Sequence, residues 1–228
     1  TPASVDIISR EQIESRGDAS VIEAITRAPG FSAAPHPGNG NSALSVRGFT
    51  DSTSVMRLYD GLRQYGGVGL TFPFDTWSVE RIEVLRGPAS VIYGDGAIGG
   101  VVNVIPKRPT RGPIQNEVQA TIGTQDTARL GLGSGGALSD TLSYRLDVSG
   151  NYTDGYVDRG QAGDATFSGA LRWDATPDLN MTLSYAYGYQ RPMRYFGTPL
   201  INGEQDDAVR KQNYNVSDSF MRFRDQWT

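Results

Sequence analysis

The sequence predicts an α+β domain, with a mixed four-stranded sheet and short helices, followed by antiparallel strands of a transmembrane β-barrel. Residues 1–108 combine short apolar runs with helix-capping signals and Gly/Pro turns. Residues 109–228 instead alternate apolar and polar side chains with a period of two, in segments of about ten residues. The connections between these segments are alternately short and long. We therefore place a domain boundary at residue 108.

The composition excludes several kinds of site. The chain has 228 residues, 28 glycines, no cysteine and one histidine, His36, with a formal net charge of −4. The lack of cysteine rules out disulfides and thiolate ligands, and a single histidine argues against a protein-built transition-metal site. The charge and the lack of a basic block argue against nucleic acid. We predict no metal site and no resident cofactor. The mean hydropathy of −0.39 is compatible with barrel strands, which are apolar on one face only.

The beginning of the chain predicts a strand and two helices. Residues 5–8 form a short apolar run. Ser9, with Gln12 three positions later, matches a capping box, and Gly17 is suited to ending that helix. A second helix is predicted over residues 20–27, because its apolar side chains share one face and a Pro-Gly pair follows it.

The middle of the first domain predicts loops and short strands. Residues 32–42 are rich in Pro, Gly and Asn and are predicted to be a loop, and so is the Gly- and aromatic-rich segment 64–74. Strands are predicted at 44–49 and 55–59. The latter is followed by Asp60-Gly61, a strong hairpin signal.

The stretch 79–109 predicts two strands separated by a glycine-rich loop, the second over the β-branched residues 101–105. Within it, Gly94, Gly96 and Gly99 match the nucleotide-binding pattern G-x-G-x-x-G. That pattern requires a helix after the last glycine, whose amide end faces the pyrophosphate. A β-branched run follows instead, so we interpret these glycines as turn residues.

The second part of the chain predicts membrane-spanning strands. The clearest example is residues 179–190, where large apolar or aromatic side chains alternate with small or polar ones. Aromatic residues near strand ends on the apolar face match an interfacial girdle; they are Tyr144, Tyr152, Trp173, Tyr187 and Tyr189. A soluble β-sandwich would also alternate, but the girdle and the loop lengths favour a barrel.

Loop lengths predict the direction of the strands. The connections at 137–140 and 175–178 are short, whereas those at 153–163 and 190–217 are long. Outer-membrane barrels have short periplasmic turns and longer extracellular loops, so the two long loops are predicted to be extracellular. A sixth strand is predicted to begin near Phe220. So few strands cannot close a barrel, and we expect them to be the first part of a longer one.

Five motifs, in order, closely resemble the plug domain of TonB-dependent outer-membrane receptors, especially ferric-siderophore receptors. They are VDIISREQI at 5–13, APGF at 28–31, SVRGF at 45–49, YDGLR at 59–63 and the stretch 79–109. The resemblance implies a plug domain over residues 1–108 and the first strands of a barrel of about 22 strands. It also implies an outer-membrane receptor that binds a ferric siderophore and imports it with energy from the TonB-ExbB-ExbD complex. Iron would enter only as a siderophore chelate.

By the same resemblance, outward-facing plug loops form the floor of the ligand site, and an external loop adds walls. Aromatic side chains and a few hydrogen-bonding groups suit such a ligand. The predicted ligand-binding residues are His36, Asn39, Tyr65, Phe72, Arg194, Tyr195 and Phe196. Each can equally be read as an ordinary loop residue.

Arg47 and Arg86 each precede a glycine in a plug motif. The resemblance implies that they lock the plug by pairing with barrel glutamates, which we expect beyond Thr228. A buried arginine requires such partners, because an unpaired buried charge is costly. The alternative is that both are surface arginines.

The sequence offers no catalytic constellation. Ser90 lacks the flanking glycines of a nucleophile elbow, and we predict that the protein is not an enzyme. The family's TonB box is not identifiable, so energy coupling is an expectation for the whole receptor. Two alternatives stay open: a TonB-dependent receptor for haem, a corrinoid or a glycan, and a soluble extracellular β-rich binding module.

Overall fold

The structure is a computed structural model that describes residues 4–36, 41–50, 55–64, 75–87, 97–193, 195–214 and 223–227. Among the described residues, no helix has the length and apolar character needed to cross a membrane. The first domain contains the elements β1 (Ser4–Ser9), α1 (Arg10–Arg16), α2 (Val21–Thr26), β2 (Phe31–His36), β3 (Asn41–Val46), β4 (Phe49–Thr50), β5 (Val55–Tyr59), β6 (Leu62–Arg63), β7 (Val79–Arg86) and β8 (Gly100–Pro106).

Both helices begin and end where the sequence predicts. The Ser9 hydroxyl accepts a hydrogen bond from the Gln12 backbone N–H, and the Gln12 side chain accepts one from the Ser9 backbone N–H, which completes the capping box. Gly17 closes α1 in the left-handed conformation with φ of +68°. Ser20 caps α2 through a hydrogen bond from the Glu23 backbone.

The main sheet of the first domain has five strands in the order β1-β7-β8-β5-β6. Only the β5–β8 pair is parallel, so the predicted mixed sheet is confirmed; the two-residue strand β6 adds a fifth member at one edge. Asp60 and Gly61, with φ of +50° and +82°, make the predicted tight turn between β5 and β6. The fully buried side chains of Ile25, Ile82 and Val104 form the core between this sheet and the two helices.

A separate sheet, β2-β3-β4, was not anticipated. Residues 32–36 were predicted to be loop, and that prediction was wrong: β2 pairs antiparallel with β3 from Phe31↔Val46 to His36↔Asn41. The small residues of β2, its single proline and the Pro-, Gly- and Asn-rich stretch that follows give it the composition of a loop, but pairing with β3 satisfies its backbone groups. The buried Phe31 and Val46 attach this sheet to the domain core.

The second part of the chain forms one antiparallel sheet, here called the wall, in the order β16-β13-β12-β11-β10-β9. Successive strands are neighbours, as the period-two pattern predicts. The strands of the wall are β9 (Gln115–Gly123), β10 (Thr127–Ala137), β11 (Leu142–Thr153), β12 (Ala162–Thr176), β13 (Leu179–Arg191) and β16 (Phe223–Trp227). Between β13 and β16 lie the short hairpin β14 (Leu200–Ile201) and β15 (Glu204–Gln205), and one 3₁₀ turn at Asp207–Val209.

Candidate functional site

The two faces of the wall have opposite chemistry. Val118, Ile122 and Leu183 point away from the first domain and are 72%, 89% and 74% exposed. On the opposite face, Asp147 and Thr166 are buried although they are polar. The first domain covers that polar face, and no second sheet covers the apolar one within the described residues. This arrangement matches a barrel wall with lipid on one side and a filled lumen on the other.

Trp77 of the first domain packs against the wall. Its indole Nε1 donates a hydrogen bond to the Leu132 carbonyl oxygen of β10 at 2.9 Å. The ring lies against Gly131, where a β-carbon would come within 2.6 Å of a ring atom. Lys107 and Arg10 hold their charges 4.5 Å and 5.6 Å from the ring centroid, within the range of cation–π attraction. Trp77 therefore fits a position that only glycine leaves open.

A charged cluster lies beside Trp77, where the chain passes from the first domain into the wall. Lys107, which is 7% exposed, places Nζ 2.8 Å from a Glu117 carboxylate oxygen and 3.5 Å from one of Asp147. Arg145 donates two hydrogen bonds to Asp147, at 2.7 and 2.5 Å, and one to Glu117 at 2.7 Å. Two cations and two carboxylates thus neutralise one another, which offsets the desolvation of Asp147.

Glycines in β10 make room for this cluster. A β-carbon on Gly133 would come within 2.8 Å of an Arg145 guanidinium nitrogen, and one on Gly135 within 2.8 Å of the Arg145 side chain. Together with Gly131 they form a row of alternate, inward-facing glycines. The spacing of two residues was the only sign of this contact in the sequence, and the prediction missed it.

Asp75 makes the third contact between the domain and the wall. Its carboxylate accepts a hydrogen bond from the Trp77 backbone N–H and one from the Asn151 amide at 2.7 Å, and it lies 3.6 Å from Arg129. Arg129 in turn donates to the Ala19 carbonyl oxygen at 3.1 Å, just before α2. A buried carboxylate thereby ties β10 and β11 to the entrance of a helix.

Tyr59 marks a fourth contact, near the other edge of the main sheet. Burial raises the pKa of Tyr59 to about 12, although a hydrogen bond with Ser168 of β12 acts in the opposite direction. Ala186 of β13 is buried in the same apolar cluster as Tyr59. Together with the Lys107–Glu117 pair, these contacts show that the first domain touches the wall from β9 to β13.

The structure places one predicted ligand residue, Tyr195, against Tyr156, a loop aromatic that the sequence analysis did not single out. Tyr195 packs edge-on against Tyr156, with ring centroids 5.8 Å apart, and its hydroxyl lies 2.6 Å from that of Thr198. Burial raises the pKa of Tyr156. Phe196 is 60% exposed. Arg159 donates to the Asn213 carbonyl oxygen at 2.6 Å and so joins the same two loops, which follow β11 and β13.

The ligand-binding role of all seven predicted residues stays a prediction, and most of them are not described. Asn39, Tyr65, Phe72 and Arg194 lie outside the described residues. His36 ends β2 and pairs with Asn41, but its side chain also lies outside the described part. Of the nucleotide-type glycines, Gly94 and Gly96 fall outside as well, whereas the turn at Gly99 leads into strand β8 rather than a helix.

Arg47 and Arg86 occupy different environments. Arg47 is exposed at the turn between β3 and β4, with φ of +49°. Arg86, at the end of β7, pairs with Asp6 of β1 at 2.6 Å and donates to the Pro29 carbonyl oxygen at 3.2 Å. Their pairing with barrel glutamates stays a prediction. Among the described residues, no group of three or more His, Asp or Glu side chains is placed to hold a metal ion.

A domain with a mixed sheet, docked on the polar face of an antiparallel wall whose other face is apolar, defines the class: a β-barrel membrane protein with an internal plug. Comparison with known proteins identifies the family of the first domain. Residues 1–101 match the TonB-dependent receptor plug domain. Over its whole length the chain is similar to TonB-dependent receptors, which are outer-membrane β-barrel proteins.

Relatives with named functions extend this finding. The chain is 28% identical over 239 residues to the ferrichrome outer membrane transporter/phage receptor of Escherichia coli K12, covering 97% of this chain and 32% of that protein. It is 30% identical over 234 residues to the ferrioxamine B receptor of Salmonella typhimurium LT2, covering 100% of this chain and 32% of the receptor. The chain thus spans about a third of the length of the curated relatives it matches.

The fold is likewise that of solved receptors. A structure of P. aeruginosa FpvA bound to heterologous pyoverdines superposes with a TM-score of 0.86 at 22% identity, over 99% of this chain and 31% of that one. This likeness shows the fold of plug and first barrel strands. The relatives are transport receptors rather than enzymes.

Proposed function

We propose that this chain is the plug and first barrel strands of an outer-membrane receptor that binds a ferric siderophore and imports it with energy from the TonB-ExbB-ExbD complex. The observation that carries the proposal is the docked plug: Trp77 against Gly131, and Lys107 with Asp147, fasten the domain to the lumenal face of the wall. A plug held in this way closes the lumen, so passage of a large ligand requires work to rearrange it.

Two observations support a ferric siderophore as the substrate class. The named relatives are receptors for ferrichrome and ferrioxamine B, both chelated forms of iron. The chain itself offers no cysteine and a single histidine, so an iron ion would depend on ligands that the chelator brings. Iron therefore enters as a chelate and the protein needs no cofactor of its own.

The binding site in this proposal lies between plug and external loops. His36, Asn39, Tyr65 and Phe72 supply the floor, and the segment Arg194, Tyr195 and Phe196 supplies a wall. The contact of Tyr195 with Tyr156 supports this location, because it fixes one aromatic wall against the neighbouring loop. Aromatic side chains offer large contact area with few rotatable bonds, which suits a rigid chelate.

The proposal is tested by binding and uptake in the complete receptor. Titration with ferrichrome and with ferrioxamine B, each against its iron-free form, should quench intrinsic fluorescence at micromolar or lower concentration for at least one ferric form. Cells carrying the receptor should then take up radioactive iron from that chelate, and deletion of tonB should stop uptake without stopping binding.

The same experiment separates the alternatives. Binding of haem, cobalamin or an oligosaccharide in place of every ferric chelate would assign the receptor to another ligand class. A complete protein that stays monodisperse without detergent would overturn the receptor assignment and favour a soluble extracellular β-rich binding module. Outer-membrane lipid is a partner only under the receptor assignment.

A further inference from the structure

The membrane-facing surface of the wall contains a groove centred on Gly169. On β12 the outward side chains are Phe167, Leu171 and Trp173, and Gly169 interrupts that row. Its neighbours across the sheet are Leu146 on β11 and Tyr185 on β13. An open apolar groove of about 400 Å³ surrounds this glycine, and the tips of Leu146 and Phe167 come within 3.2 Å of the position that a β-carbon on Gly169 would take.

The lining of this groove is almost entirely apolar. Its walls are the side chains of Leu138, Tyr144, Leu146, Phe167, Leu183 and Tyr185. These residues belong to β11, β12, β13 and one short turn, all in the interior of the sheet. The groove is therefore complete within this chain, and strands that follow β16 do not contribute to it.

A polar cluster lies at the short-turn end of the groove. The Tyr144 hydroxyl is 2.8 Å from the Ser134 hydroxyl, which in turn is 2.8 Å from the Asn116 side-chain oxygen. Asn116 is exposed on the outward face, and its amide N–H groups are hydrogen-bond donors. Polar groups on a membrane-facing surface belong at the level of the lipid headgroup and ester region.

The groove fits within one leaflet of a bilayer. From Leu171 to Phe167 it follows β12 over four residues, or about 13 Å along the strand, which is about 10 Å of membrane depth at a barrel tilt of about 40°. The hydrocarbon core of one leaflet is about 15 Å deep. Short turns face the periplasm in barrels of this kind, so the polar cluster lies at the periplasmic side.

We propose that this groove is a binding site for one acyl chain of a phospholipid in the periplasmic leaflet. The chain lies along Gly169 between Leu146 and Tyr185, and the ester region of the lipid meets Tyr144 and Asn116. This site rests on the membrane-spanning part of the proposed function and is independent of which ligand the receptor imports. An acyl chain fits because the groove is apolar along its length and lies on the outward face of the wall.

The test uses the complete receptor in nanodiscs that contain phosphatidylethanolamine with a photoreactive diazirine in one acyl chain. After illumination, mass spectrometry measures lipid adducts on Phe167 and Tyr185, and on Val118, an outward-facing residue that is in register with Phe167 through β10 and β11 but lies outside the groove. We expect adducts in the groove to exceed those at Val118 by about threefold to tenfold, because several CH₂ groups are held there.

A larger side chain at position 169 supplies the matched variant. A β-carbon on Gly169 would lie 3.2 Å from the tips of Leu146 and Phe167, so these side chains have to move aside to admit G169F, and thermal unfolding is measured to check that the variant folds. V118F places the same phenylalanine outside the groove. We expect G169F to reduce labelling of Tyr185 to the Val118 level and V118F to leave it unchanged; G169A serves as a milder second variant.

Equal labelling of the groove and Val118 in the wild type, or wild-type labelling in G169F, would overturn the site. The site would also be overturned if groove residues formed crosslinks with a neighbouring protein but no lipid adducts. Binding of ferric chelates is measured on the same nanodiscs. If the wild-type receptor shows groove labelling but binds no ferric chelate, the siderophore proposal fails and the lipid site stands.

Discussion

Trp77 lies flat against Gly131, and the two residues belong to different units of the molecule. The Trp77 indole also donates a hydrogen bond to the residue that follows Gly131, the Leu132 carbonyl oxygen at 2.9 Å. A β-carbon on Gly131 would approach three ring atoms to between 2.6 and 2.9 Å. Plug docking therefore depends on a side chain being absent from the wall as much as on one being present in the plug.

The first prediction is that G131A loosens the plug. The added methyl group overlaps a ring that Lys107 and Arg10 flank, so Trp77 must shift, at a cost of about 1–3 kcal/mol. Limited proteolysis should cut the plug faster, and the thermal midpoint should fall. G150A on β11 is the control, because its β-carbon meets only one atom, 3.9 Å away. Equal behaviour of the two variants would contradict the docking role of Gly131.

The second prediction concerns Lys107. K107M keeps the length of the side chain but removes the charge near Glu117 and the buried Asp147. Because Arg145 still pairs with both carboxylates, the expected loss is about 1–3 kcal/mol, less than for an isolated buried pair. Thermal unfolding in detergent measures it. R108M changes the next residue, which is 66% exposed and pairs with Asp60, and should have little effect; a comparable loss there would refute the assignment.

The third prediction is a stability change at alkaline pH. Burial raises the pKa of Tyr59 from 10.0 to about 12, so the folded state favours the neutral phenol. That contribution is complete below about pH 10 and is lost as the pH rises through about 10 to 12. Near pH 11 the loss should be about 1 kcal/mol. In the wild type the thermal midpoint should be lower near pH 11 than near pH 9. Y59F should reduce this difference, whereas Y214F, which changes an exposed tyrosine, should leave it unchanged.

The fourth prediction tests the plug lock. R86Q breaks the pair with Asp6 of β1 and should release the first strand; R47Q should act through the predicted barrel glutamates. Both should raise the entry of large antibiotics into cells that carry the receptor and should speed proteolysis of the plug. R81Q, on the same strand as Arg86 but paired with Glu83 at the surface, is the control. If R86Q and R47Q show the same permeability and the same rate of proteolysis as R81Q, neither arginine holds the plug in place.

Local signals in the sequence were sufficient for the elements they govern. Ser9 with Gln12 located the start of α1, Asp60-Gly61 located the hairpin, and alternation over residues 179–190 located β13. In each case the information lies within a few residues, because caps, turns and strand faces are set by short-range geometry. The β2 strand failed this test, since its pairing with β3 outweighs its loop-like composition.

Contacts between distant residues could not be predicted in this way. Trp77 and Leu132 are 55 positions apart, and nothing near Trp77 marks its partner. The row of alternate glycines in β10 was visible, but glycine in a strand also marks bulges and bends. Likewise, the packing of Tyr156 on Tyr195 depends on how two loops meet above the wall.

By itself the sequence determined that a capped α+β domain precedes strands with one apolar and one polar face, and its motifs indicated the receptor family. The tertiary structure decided which wall residues receive the plug, how Lys107, Glu117, Arg145 and Asp147 share their charges, and where the outward surface forms an apolar groove. The physical reason is range: periodicity and capping act within a strand or turn, whereas docking and cavities arise where surfaces from separate parts of the chain meet.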